Sequence, residues 1–181
     1  MVKNLFITCL ILLLLWTTPC FAGQSSLGAK SFVAVAVHID TADKDILGVD
    51  LLEAGINKLI QYKSSLVMMD GMILSGSSVL RELKKAGIDD FSNPNPIKLQ
   101  DFGKNNDVSY VLLLTLYPLD ISADIKAFDV SKGDYLVGKK ITQPKEAESK
   151  SGFLDTMLNK FSRLIDGELD EIFKAISINK S

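Results

Sequence analysis

The sequence predicts a single α/β domain whose mixed sheet, parallel βαβ units plus an antiparallel meander, is flanked by helices. Three observations carry this. Residues 32–39 (FVAVAVHI) and 108–116 (VSYVLLLTL) are strand-length runs with no polar face, as in strands covered on both sides. Between them lie stretches with helical spacing of apolar residues, so strand and helix alternate. After the second run, strict alternation and a turn sequence announce a hairpin.

The first 22 of the 181 residues form a separate unit. Lys3 is its only charge, residues 5–16 are apolar apart from Thr8, and Thr17, Thr18 and Pro19 end the helix-forming stretch. Cys20-Phe21-Ala22 then places small residues at −3 and −1 of a cut after Ala22. This is the layout of a secretory signal peptide, and its apolar run falls short of the ~20 residues that span a bilayer. A membrane anchor through residues 5–16 is the other reading of the same run. Thr17 and Pro19 stand where a lipoprotein signal before Cys20 would carry a leucine and a small residue.

Both cysteines, Cys9 and Cys20, and the lone tryptophan, Trp16, leave with this signal. What remains is 159 residues with net charge −3, one histidine and no cysteine. A chain of that size buries roughly 70% of its unfolded surface, so an ordinary core replaces disulfides as the source of stability.

Residues 23–30 (GQSSLGAK) read as a flexible leader, and residues 31–178 as the domain. Asp43 or Asp45 is the expected cap of a helix running to about Tyr62, with Val49, Leu52, Ile56, Leu59 and Ile60 on one face. Residues 66–69 (LVMM) read as a short buried strand stopped at Asp70-Gly71. Ser77 or Ser78 opens a second helix, with Val79, Leu80 and Leu83 apolar and Gly87 at its end.

Residues 89–96 (DDFSNPNP) are the most loop-like stretch, followed by a short helix over 97–105. Pro118 interrupts the strand that ends near Leu116. Ile121, Ala123, Ile125 and Ala127 then alternate with Ser122, Asp124 and Lys126, giving a strand with one wet face. Residues 131–134 (SKGD) form the hairpin turn and 135–141 the returning strand. A polar linker, 143–151, leads to the final amphipathic helix, whose Leu154, Leu158, Phe161, Ile165, Leu169, Ile172 and Ile176 step by three and four. The first three strands are expected to be parallel, with the meander at one edge and the last helix on a sheet face.

The chemistry-bearing residues are few. With one histidine and no mature cysteine, zinc sites built mainly of those ligands are excluded. Any Ser-His-Asp triad must use His38, at the end of an apolar strand, and no G-x-S-x-G elbow exists. Asp40, Asp43, Asp45 and Asp50 cluster, but Thr41-Ala42 and Ile46-Leu47 break the alternation of a calcium loop. No glycine-rich phosphate loop follows a strand, and Lys84-Lys85 and Lys139-Lys140 lack interleaved aromatics, so nucleotide and nucleic-acid binding are disfavoured. Catalytic, cofactor-binding and metal-binding residues are accordingly expected to be none.

The stretch from Leu99 through Gly103 and Val108 to Leu113 (LQDFGKNNDVSYVLL) and the turn Ala127 to Gly133 (AFDVSKG) carry a resemblance. Over residues 32–141 the chain resembles bacterial envelope domains that include the TolB amino-terminal domain, the curli secretion lipoprotein CsgG and the activator LpoB. The resemblance implies an α/β fold and a non-enzymatic role in assembly, secretion or regulation, and gives no catalytic residue to transfer. Asp129 accepting amides of the turn and Gly133 at positive φ are also what physics alone favours there.

The expectation is therefore an exported, periplasmic, non-enzymatic protein-binding or assembly module of the cell envelope. Its expected partner is another envelope protein, with homo-oligomerisation open and no cofactor. Secretion or anchoring through residues 5–16 are the alternative locations. The competing expectation is a small-molecule-binding or hydrolytic protein using the carboxyl ends of the parallel strands, through His38, Asp40 and Asp70.

Overall fold

The computed structural model describes residues 33–41, 48–67, 72–142 and 153–179. The signal and leader, the capping candidates Asp43 and Asp45, Asp70 and the linker 143–151 lie outside the described residues. The element order is β1 (Val33–Ile39), α1 (Val49–Val67), β2 (Ile73–Ser75), α2 (Ser77–Lys85), α3 (Pro96–Asn105), β3 (Tyr110–Tyr117), β4 (Ser122–Asp129), β5 (Asp134–Thr142) and α4 (Phe153–Asn179).

One five-stranded sheet runs in the order β2-β1-β3-β4-β5. β1 pairs in parallel with β2 and β3, and the hairpin strands β4 and β5 extend the sheet antiparallel from β3. This is the mixed α/β architecture expected from the sequence.

Two details differ. The apolar run 66–69 was expected to be the second strand, yet Leu66 and Val67 are the last residues of α1. The buried positions Leu52, Ile56, Ile60 and Ser64 recur every fourth residue, so the helical stripe continues past Tyr62 and absorbs the run. The second strand is instead three residues, Ile73–Ser75, paired with Val33–Val35. In the second difference, Ile121 lies in the β3–β4 turn at φ 44, and β4 starts at Ser122.

Alternation along each strand sorts side chains onto two faces. The first face carries Val33, Val35, Val37 and Ile39, Leu112, Leu114 and Leu116, and Ala123, Ile125 and Ala127. α1 and α4 cover it, the latter through Phe161, Ile165, Leu169, Ile172, Phe173 and Ile176. Lys63 of α1 ties the two helices by reaching Asp166 (2.8 Å) and Asp170 (3.0 Å) of α4. The second face carries Ala34, Ala36, Val111, Leu113 and Phe128 under α2, α3 and the loop between them.

α3 is well specified locally. Asn95 caps it, its side-chain oxygen accepting the amide of Ile97 at 2.9 Å, and Pro96 fills the first turn. A Cβ on Gly103 would meet Val130 Cγ2 at 2.3 Å, so the missing side chain lets α3 press onto the β4–β5 turn. In that turn Asp129 Oδ1 accepts the Ser131 amide (2.9 Å), the Ser131 hydroxyl (2.6 Å) and the Lys132 amide (3.1 Å). Gly133 closes it at φ 68.

Candidate functional site

Toward the carboxyl ends of β1 and β3 the second face stops being apolar. Register sets His38 opposite Thr115, Thr115 opposite Asp124, and Asp124 opposite Lys140. Directly opposed residues share a face, so an imidazole, a hydroxyl, a carboxylate and an ammonium form one transverse rung across four strands. On the neighbouring rung Leu113 stands opposite Lys126, and Lys126 opposite Gly138.

The loop 88–95 folds over this polar end. Phe91 is buried, and its ring meets the His38 ring with centroids 5.5 Å apart, tilted by 42°. Ser92 Oγ and Tyr117 OH share a hydrogen bond of 3.0 Å. Lys126 Nζ donates to the Ser92 carbonyl and to Asp124 Oδ2, the latter at 2.9 Å. Tyr135 OH donates to the Pro94 carbonyl at 3.0 Å. Asp90 shapes the loop itself, Oδ1 accepting the amides of Ser92 (2.8 Å) and Asn93 (3.1 Å). Lys140 Nζ sits 4.9 Å from the Tyr117 ring centroid.

The expected wet face of β4 is thus roofed rather than open: the side chains of Asp124 and Lys126 are 16% and 19% exposed. Most of the charge is used within the cluster, since Lys126 satisfies Asp124 and fastens the loop. His38 is held differently. Partial burial lowers its pKa, a trend opposed by nearby Asp40 and reinforced by Lys84, so the ring is neutral near pH 7.

Of the three residues expected for a catalytic alternative, His38 lies in this rung against Phe91. Asp40 is exposed just past β1, its amide donating to the Leu116 carbonyl at 2.8 Å. Asp70 lies outside the described residues. Sequence reasoning missed Thr115, Asp124, Lys126, Tyr117 and Ser92 as a group. The legible signal was the alternation of Ser122, Asp124 and Lys126; what covers them came from a loop some thirty residues away. Among the described residues no group of three His, Asp or Glu side chains is placed to hold a metal ion, and no helix is long and apolar enough to cross a membrane.

A second concavity, a shallow cleft of about 340 Å³, lies between α2 and α3 and is lined by Glu82, Lys85, Lys98, Asp101, Phe102 and Asn106 among others. Its cations are engaged: Lys85 pairs with Glu82 at 2.9 Å, and Lys98 donates to the Gly87 carbonyl at 2.8 Å.

The two margins of the sheet are unequal. β2 offers three residues, whereas β5 offers nine and, among the described residues, has no strand on its outer side. Edge strands often carry lysines that discourage pairing. Here Lys139 is drawn over the first face to Glu168 of α4 (2.7 Å) and Lys140 over the second to Tyr117. Neither ammonium is left standing in the plane of the open edge.

No protein-family profile and no curated protein matches the chain. Among solved structures it is similar to the PelC dodecamer from Paraburkholderia phytofirmans, with 12% identity and a TM-score of 0.43 over 82% of this chain and 89% of that one. It is also similar to lipoprotein GNA1162 from Neisseria meningitidis, with 16% identity and a TM-score of 0.41 over 75% of this chain and 95% of that one.

Proposed function

We propose that this chain is an exported, non-enzymatic protein of the cell envelope that works by binding another protein along the β5 edge. The observation that carries the reading is the inequality of the two sheet margins. The short margin is closed by its length, while the long one, among the described residues, keeps a nine-residue strand open with its lysines pulled back over the faces. Strand addition to such an edge supplies main-chain hydrogen bonds without any specialised catalytic group. The order of charge, apolar run and small residues up to Ala22 supports export.

Two measurements test the reading. Mass spectrometry of the periplasmic fraction is expected to find a chain beginning at Gly23; an intact chain confined to the cytoplasm would remove the export half. A benzoylphenylalanine placed at Gly138 is expected to cross-link to protein in the envelope fraction, whereas one at Asn159 on the exposed side of α4 stays unreacted. Equal labelling from both positions, or none from either, would remove the binding half.

The rung of His38, Thr115 and Asp124 is the observation that favours a second reading, a small-molecule-binding or hydrolytic protein working at the strand ends. Lys126 and the roof formed by residues 88–95 favour a structural use of those groups, so protein binding is the stronger proposal.

A further inference from the structure

The polar end of the second face buries two hydroxyls that the described residues leave without a partner. Ser122 is 1% exposed, and its Oγ makes no hydrogen bond. Thr115 is 2% exposed, and none of the described residues bonds its hydroxyl. Buried polar side-chain atoms are as a rule paired, so both call for a partner. An alanine at position 122 or a valine at 115 would fill the same space without that demand.

Register sets the two hydroxyls beside a carboxylate. Thr115 stands opposite Asp124, and Tyr117 opposite Ser122. Leu114, Leu116, Ala123 and Ile125 belong to the first face, so Thr115, Ser122 and Asp124 all point to the second. Asp124 gives Oδ2 to Lys126, a pair that does not use Oδ1. We infer that Thr115, Ser122 and Asp124 together bind one internal water molecule between β3 and β4.

Distances decide the size of the occupant. Opposed Cβ atoms lie about 5 Å apart, residues two apart on a strand about 6.7 Å, and diagonal positions about 7 Å. The two hydroxyls, on a diagonal, are too far apart to bond each other. The point equidistant from the three Cβ atoms is roughly 4 Å from each, where one oxygen can sit about 2.8 Å from each polar group. Three polar partners suit a buried water, and the space is too small for an organic molecule. A cation there would face the ammonium of Lys126, which already supplies Asp124 with positive charge at 2.9 Å.

The water completes a polar chain from the sheet to its roof. It links Thr115 of β3 and Ser122 of β4 to Asp124, and Lys126 runs from Asp124 to the Ser92 carbonyl. Tyr117, opposite Ser122, bonds the Ser92 hydroxyl as well. The loop 88–95 is therefore fastened to groups that the water satisfies. The site is independent of the edge-binding reading and stands or falls without it.

The full chain and three variants test the site: Thr115→Val, Ser122→Ala and the two combined. Each substitution nearly conserves shape and removes one partner of the water. Each single variant is expected to lower the folded-to-unfolded ratio at least about fivefold in chemical denaturation. The double variant is expected to fall short of the product of the two effects, because the first loss already releases the water. Oxygen-17 magnetic relaxation dispersion is expected to count one fewer long-lived water in the double variant than in the unsubstituted chain. Single substitutions that leave stability unchanged or raise it would mean that the hydroxyls are unpaired, and would overturn the inference. So would effects that multiply independently, or an unchanged number of long-lived waters.

Discussion

The two faces of this sheet are made by the same strands and are built to different ends. On the first, every inward position of β1 from Val33 to Ile39 and of β3 through Leu116 is apolar and buried. Two long helices, 19 and 27 residues, cover it from end to end. On the second, β1 reads Ala34, Ala36, His38 and β3 reads Val111, Leu113, Thr115, so the apolar surface stops partway. Its cover is two helices of nine and ten residues and a loop fastened by Ser92 and Lys126. The contrast teaches that cohesion comes chiefly from the first face. The second tolerates titratable groups because hydrogen bonds, rather than apolar packing, hold its roof.

The largest effect expected from this contrast is at the centre of the first face. Phe161, on the inward side of α4, is fully buried, and Phe161→Ala should cost about 3–5 kcal/mol in chemical denaturation. A loss under 1 kcal/mol would mean that α4 is not integral to the core, and the contrast would collapse.

A smaller effect is expected at the turn that supports α3. Asp129 is almost wholly buried; burial acts to raise its pKa, but hydrogen bonds from Ser131 and Lys132 outweigh this and hold it below the ordinary 3.8. The unfolded chain therefore takes up the proton more readily. This contribution is complete above the ordinary value and is lost as pH falls through the depressed one. Asp129→Ala should cost about 2–3 kcal/mol at neutral pH and correspondingly less in strong acid. An unchanged cost at pH 2 would show that the turn depends on packing alone.

The smallest effect lies at the polar end of the second face. The pKa of His38 is lowered from 6.5, chiefly by burial, so the unfolded chain binds the proton first as pH falls. The fold is then expected to lose a little stability from about pH 6.5 downward until the folded ring also protonates. His38→Leu should remove that slope in melting temperature between pH 5 and 7.5. If the slope survives the substitution, the imidazole is not the group responsible, and the two faces differ less in their response to pH than their residues suggest.

Much of the architecture was legible in the chain. Runs without a polar face marked β1 and β3 as central, period-two alternation marked β4, and Asp129 with Gly133 marked the turn before β5. The misread second strand has a definite cause. An apolar run of four is compatible with either structure, and the stripe Leu52, Ile56, Ile60, Ser64 carries α1 through Leu66 and Val67. The site was far less legible. Ser122, Asp124 and Lys126 look solvent-facing in one dimension, and only the loop 88–95 shows that they are not.

The sequence by itself determined the strands and helices other than the short second strand, and which of them must be covered on both faces. Those properties depend on neighbours within a few residues and on the burial that apolar side chains require. The tertiary structure alone decided that His38, Thr115, Asp124 and Lys140 share a rung, that a loop roofs part of it, and that β5 rather than β2 is the long margin. Strand order and register join residues as much as a hundred positions apart, and no local periodicity encodes which of them will meet.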